Sequence, residues 1–148
     1  MNNHAIVEFS QITPNIFLGT NLCCAVHADK LKAIHISIDI DLEVERPEEP
    51  PEVESYIWLP VIDGHAPSLY QLSIGVTAIE NTIKQGKCLY VHCKNGHGRS
   101  PTLVIAYLIS TGMTQETAYQ LVKSKRPEIH LHDVQVEMLM KFTLMRNE

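Results

Sequence analysis

Ile34, Ile36, Ile38 and Ile40 alternate with His35, Ser37 and Asp39, the period-2 pattern of a half-buried strand. A short β-prone run follows from Tyr56 to Val61. Ser68 and Gln71 have the spacing of a capping box, and Leu72, Val76, Ile79 and Ile83 then recur at helical intervals, so the spacing predicts a helix that Gly86 stops. Cys88 to Val91 is short, apolar and β-prone, which predicts a buried strand running straight into the glycine-containing segment HCKNGHGRS. Pro101 suits the first turn of a helix, and TLVIAYLI behind it is apolar on nearly every side, so that helix should be central. Thr114 opens a further helix with Ala118, Leu121 and Val122 on one face, ended by Pro127. A last helix carries Val134, Met138, Phe142 and Met145.

Strands interleaved with helices predict a layered α/β sheet. No internal repeat or second boundary interrupts the pattern, so residues 1–148 are expected to form one domain. The chain is 45% hydrophobic and 20% charged, with 7 Gly, 8 Pro and 4 Cys, which excludes collagen-like, disordered and disulfide-scaffold classes. No apolar run reaches the roughly 18 residues of a membrane span. The opening MNNHAIVEFS lacks the basic-then-apolar layout of a signal peptide, so a cytoplasmic, monomeric protein is expected.

The formal charge is −5, which argues against a general nucleic-acid binder. That charge is unevenly placed. Asp39, Asp41, Glu43, Glu45, Glu48, Glu49, Glu52 and Glu54 share one stretch with Arg46, Pro47, Pro50 and Pro51, which reads as a solvated, proline-broken surface loop. From Lys84 to Arg126 the balance reverses, with seven bases against Glu116 alone, so an anion would prefer that half.

The segment HCKNGHGRS carries the chemistry. A buried strand that turns through glycines into a helix N-terminus aims several backbone N–H groups at one point, and the helix dipole adds positive charge there. Lys94, Asn95, Gly96, His97, Gly98 and Arg99 are therefore the expected phosphate-binding residues, with the Arg99 fork holding two oxygens. The same groups would stabilise a thiolate on Cys93 as nucleophile. Ser100 can donate a hydrogen bond to that sulfur and ease its departure. A chance match to His, Cys, Gly, Arg and Ser at these spacings is of the order of 10⁻⁵ per cysteine.

The pattern His92, Cys93, Gly96, Arg99, Ser100 resembles the signature of cysteine-dependent protein tyrosine phosphatases of the dual-specificity class. The resemblance extends from about Ile12 to Phe142: ITPNIFLGT is similar to the family's first strand pair, and KSKRP to the usual end of the helix after TLVIAYLI. It implies a central, mostly parallel twisted sheet flanked by helices. It also implies hydrolysis of phosphomonoesters through a phosphocysteine, most naturally on protein phosphotyrosine, phosphoserine or phosphothreonine, with no cofactor and no metal.

The leaving oxygen needs a proton, and the water that attacks phosphocysteine must lose one. In the family an Asp about thirty residues before the Cys serves both steps, which points to Asp63; His65 is the weaker substitute. His92 is expected to hydrogen-bond the loop backbone and fix it. A subgroup of the family carries a Gln eight residues after the Pro, here Gln135 after Pro127, where it positions the hydrolytic water; the alternative is an exposed Gln on the last helix. Lys94 and His97 would add positive charge at the rim, and some lipid-directed relatives have a base at the first of these positions. Phosphoinositides or other polyanionic phosphates are therefore the alternative substrates.

Other readings compete. His92, Cys93 and His97 lack the paired spacing of structural zinc. Rhodanese-type loops lack the combination of Gly96, Arg99 and Ser100. A phosphate-binding pseudophosphatase would not need Cys93, Arg99 and Asp63 together. Cys23 and Cys24, on an expected helix, and Cys88, in a buried strand, read as packing.

Overall fold

The computed structural model describes residues 8–22, 25–46, 48 and 52–147. Its elements are β1 (Phe9–Gln11), β2 (Ile16–Gly19), α1 (Ala25–Ala33), β3 (Ile36–Glu43), β4 (Ser55–Val61), α2 (Leu69–Lys84), β5 (Cys88–His92), α3 (Arg99–Ser110), α4 (Gln115–Lys125) and α5 (Asp133–Arg146). Cys23 and Cys24 lie outside the described residues.

The five strands form one sheet in the order β1-β2-β5-β3-β4, with β1 antiparallel to β2 and every other pair parallel. This is the mostly parallel sheet expected, and β5, which leads into HCKNGHGRS, lies at its centre. Parallel strands need crossovers, and a central strand has both faces covered.

Register assigns the faces. Ile38 pairs with Leu89 and Ile40 with Val91, and these side chains join Leu72, Val76, Ile79, Leu103, Val104 and Phe142 in the main core. On the other face Asp39 pairs with Tyr90 and Asp41 with His92. There Phe17, Leu22, Leu31, Ile36 and Tyr90 form a smaller apolar cluster with the help of α1.

The helix signals hold where local chemistry is strong. Ser68 Oγ accepts from the Gln71 N–H while the Gln71 side chain accepts from the Ser68 N–H, both at 3.0 Å. Gly86 follows α2 with φ +72°, a left-handed conformation that glycine adopts without a Cβ penalty. α3 is buried along ten of its twelve residues, as the central helix should be.

One expectation is corrected. The acidic stretch is not a solvated loop along its length: Asp39, Asp41 and Glu43 belong to β3 and are buried, and the Glu48 side chain is 3% exposed. The strand continues because alternate positions on its second face meet polar side chains, His92 beside Asp39, Tyr56 on Asp41 and Asn21 on Glu43, and not water. α5 is the expected last helix, with Phe142 in the core and Met138 packed partly buried against it. Gln135, Leu139 and Phe142 are buried, whereas Val134 and Met145 are exposed, because the helix turns a glutamine toward the loop at the head of α3.

Candidate active site

β5 ends at His92, and the chain turns through Cys93 to Gly98 into α3. Gly96 has φ +69°, and a Cβ there would meet the Gly19 carbonyl oxygen at 2.7 Å, so the turn is closed to other residues both by conformation and by contact with β2. Gly98 caps α3 without any side-chain hydrogen bond, so no described side chain caps the N-terminus of this twelve-residue helix. That is the arrangement expected of an anion cradle.

Arg126, the residue that ends α4, fixes the shape of the turn. It is buried, its Nε donates to the Gly96 carbonyl at 2.9 Å, and its Nη2 donates to the Asn95 carbonyl at 3.0 Å. Nη1 donates to Ser10 Oγ at 3.1 Å and lies 3.6 Å from Glu8. With two carbonyls drawn to one guanidinium, the peptide units of the turn are locked in orientation.

Cys93 is buried, with Sγ 3.2 Å from Ser100 Oγ. A cavity of about 200 Å³ opens on it, lined by Asp63, Cys93, Asn95, His97, Arg99, His130 and His132. The structure thus brings together Cys93, Arg99 and Asp63, as the sequence predicted. Lys94 does not line this cavity: it is exposed, and its carbonyl accepts from the Asn21 N–H at 3.2 Å, which anchors that residue toward the β2 side. Asp63 sits beside Gly64 (φ +81°) with an exposed side chain, Oδ1 3.8 Å from Arg99 Nη2.

Arg99 is itself buried and held from behind. Its two Nη atoms donate to the two carboxylate oxygens of Glu45, from Nη2 at 2.8 Å, and Nη1 also donates to the Val61 carbonyl at 2.8 Å. Of the five N–H groups of a guanidinium, these bonds use three. The Nε–H and one Nη2–H remain, on the edge suited to two phosphate oxygens. The hydrogen bond from Arg99 holds the Glu45 carboxyl below the usual carboxylate range.

Gln135 is fully buried, which removes the reading of an exposed helix residue. Its Nε2 donates to the His65 carbonyl at 3.0 Å, its Oε1 accepts from the His132 N–H at 2.9 Å, and its amide stands 3.0 Å from where a Cβ on Gly98 would lie. One amide therefore ties the Asp63 loop, the His130–His132 segment and the head of α3.

His92 makes the backbone contact expected of it and has two further partners. Its Nδ1 lies 3.4 Å from the Cys93 carbonyl, a backbone contact as foreseen, but its Nε2 lies 3.0 Å from Asp39 and 3.1 Å from Glu48. Burial opposes protonation of this imidazole; the Asp39 and Glu48 carboxylates outweigh it and hold it protonated well above its ordinary range. Burial pushes the Asp41 carboxyl up to about 6 and raises Glu48 as well.

Sequence reasoning missed Glu45, Arg126, His130 and His132. Glu45 was one acid among eight and carried no separate signal. His130 and His132 did leave one, since alternation about Leu131 in an extended segment puts both on one side.

The model of the dual specificity phosphatase catalytic domain matches residues 16–144. Phosphatidylglycerophosphate phosphatase PTPMT2 of Arabidopsis thaliana is 39% identical over 83 residues, 55% of this chain and 36% of that protein. Dual specificity phosphatase 28 of Homo sapiens is 29% identical over 120 residues, 79% of this chain and 67% of that one. The matches to the first curated relatives span 18% to 36% of those proteins' lengths. Among solved structures, PTPMT1 in complex with PI(5)P superposes with a TM-score of 0.85 at 25% identity, covering 94% of this chain and 96% of that one.

Proposed function

The chain belongs to the dual specificity phosphatase family, and from that premise we propose that it hydrolyses phosphomonoesters through a phosphocysteine on Cys93. The observation that carries the proposal is the convergence of Cys93, Arg99 and Asp63 on one small cavity at the uncapped head of α3.

The Cys93 thiolate attacks phosphorus in line. The Nε–Nη2 edge of Arg99 and the turn amides hold the equatorial oxygens. As the P–O bond to the leaving group breaks, Asp63 gives that oxygen its proton. Water then attacks the phosphocysteine, Asp63 takes back a proton, and the P–S bond breaks with the departing thiolate accepting a hydrogen bond from Ser100. His92, behind the turn, positions Cys93 through its carbonyl. The test is Cys93→Ser assayed on p-nitrophenyl phosphate: turnover is expected to vanish, and wild-type turnover would sink the covalent route.

Phosphorylated protein side chains are the proposed substrates. Phosphorylated glycerolipids are the second reading. It is supported by His97, His130 and His132 around the cavity, whose ring N–H groups can donate to a further anionic group, and by the likeness to phosphatidylglycerophosphate phosphatases. Rates on phosphotyrosine peptide, phosphothreonine peptide, phosphoinositide and 5′-phosphorylated RNA, measured side by side, separate the readings.

A further inference from the structure

Behind the phosphate turn, on the sheet face opposite the main core, lies a cluster of which only His92, through its Nδ1 contact to the Cys93 carbonyl, takes part in the phosphatase chemistry. Asp39 of β3, Glu48 beyond the end of β3, and His92 of β5 meet there with side chains 0%, 3% and 1% exposed. His92 Nε2 stands 3.0 Å from Asp39 Oδ1 and 3.1 Å from Glu48 Oε2. One ring nitrogen thus faces two carboxylates and can give its single hydrogen to only one of them at a time. Apart from this shared nitrogen, no described donor serves either oxygen of Asp39, and none serves Glu48 Oε1.

We propose that Asp39, Glu48 and His92 form a binding site for one divalent transition-metal cation, with zinc as the probe. Three observations carry the assignment. First, buried carboxylate oxygens without donors are costly, since burial removes the water that would otherwise solvate them. Second, the nearby cations are engaged elsewhere. Arg46 reaches toward Glu43 and donates to the Leu22 carbonyl, and Arg99 holds Glu45. One imidazolium offers a single positive charge against two carboxylates, whereas a dication on a neutral imidazole balances both. Third, the other acids around His92 are already satisfied. Asp41 accepts from the Glu43 N–H at 2.8 Å and from Tyr56 Oη–H at 2.9 Å, and Glu43 accepts from Asn21 at 3.3 Å. Of the two carboxylate groups that meet His92 among the described residues, the one with Asp39 and Glu48 is left with unpartnered oxygens.

The metrics fit a small cation. Bonds of about 2.0–2.1 Å in a tetrahedron set donors about 3.4 Å apart, so the observed separations need to open by only a few tenths of an ångström. One imidazole with two carboxylates suits Zn²⁺, Mn²⁺ or Fe²⁺; calcium and magnesium ask for more oxygens. The cation would join β3, the segment after it and the end of β5 one residue before Cys93. Glu48 is three residues beyond Glu45, so the same ion would order the segment that holds Arg99.

The full chain, stripped with chelator and desalted, is titrated with Zn²⁺ by calorimetry and with Co²⁺ by visible absorption, and its melting temperature is read with and without zinc. One equivalent bound is expected, with a higher melting temperature and a Co²⁺ spectrum free of thiolate charge transfer. Glu48→Gln and Asp39→Asn should each weaken uptake at least about tenfold; if Asp39→Asn does not fold, Glu48→Gln decides. Binding that persists in Cys93→Ser supports the site. No uptake by the folded wild type, uptake unchanged in Glu48→Gln, or uptake lost in Cys93→Ser with a thiolate band in the wild type overturns it. A Glu48→Gln protein that melts higher while the wild type takes up no metal would show that the pair shares a proton instead.

Discussion

The Glu45 carboxylate accepts from both Nη atoms of Arg99, so the guanidinium that faces the cavity is aimed from a segment more than fifty residues earlier in the chain. Removing that hold lets the fork swing out of register with the turn amides. Glu45→Ala is expected to lower kcat on p-nitrophenyl phosphate by about 10- to 100-fold, the scale of a small misplacement of a positioning group. Circular dichroism should show the fold retained. An unchanged kcat would mean that the turn alone orients Arg99.

The same pair sets a pH dependence. The folded-state carboxyl of Glu45 lies below its ordinary range, so its contribution to stability is complete above about pH 4.3, the unfolded value, and is lost as pH falls through the depressed one. The stability difference between wild type and Glu45→Gln, from urea unfolding, should be level from pH 7 to 5 and shrink in more acid solution. A difference that grows on acidification would reverse the assigned sign.

Arg126 serves two carbonyls of the phosphate turn from a fully buried position. Arg126→Met keeps most of the volume and leaves both oxygens unpaired, at an expected cost of about 2–4 kcal/mol in unfolding free energy. Affinity for inorganic phosphate should fall with it, measured as competitive inhibition. Stability lost with inhibition intact would assign Arg126 to the scaffold alone.

Gln135 links His65, His132 and the space beside Gly98. If it also orients the hydrolytic water, Gln135→Ala will slow phosphocysteine breakdown more than its formation. A p-nitrophenolate burst of about one equivalent should then precede a steady rate reduced about tenfold or more. Loss of rate without a burst would place the defect in the first step, through the Asp63 loop.

The legible parts of this molecule are those in which neighbouring residues determine one another. Ser68 and Gln71 form their box within one turn, and Cys93, Gly96 and Arg99 build the cradle within seven residues. Asp39 and Asp41 were opaque for the opposite reason. Charge next to isoleucine reads as the wet face of a strand, and only the pairing of β3 with β5 puts His92 and Tyr90 beside them. Glu45 and Arg126 act on residues 54 and 30 positions away, a distance no local pattern reports. The orientation of α5 was not legible in its sequence, because its inward face combines Leu139 and Phe142 in the core with a polar residue, Gln135, that contacts the site.

The small antiparallel ribbon at the edge of the sheet has a reach beyond its size. Ser10 of β1 and Glu8 just before it hold the outer end of Arg126, while Gly19 of β2 lies directly against Gly96. The edge is thus a splint: it contributes no wall to the catalytic cavity, yet it presses the turn from one side and steadies its brace from the other. A chain trimmed to begin at residue 12 would keep every residue that lines the cavity and lose the Ser10 and Glu8 contacts that steady the brace. Its defect would surface as a loosened grip on phosphate, far from any cut.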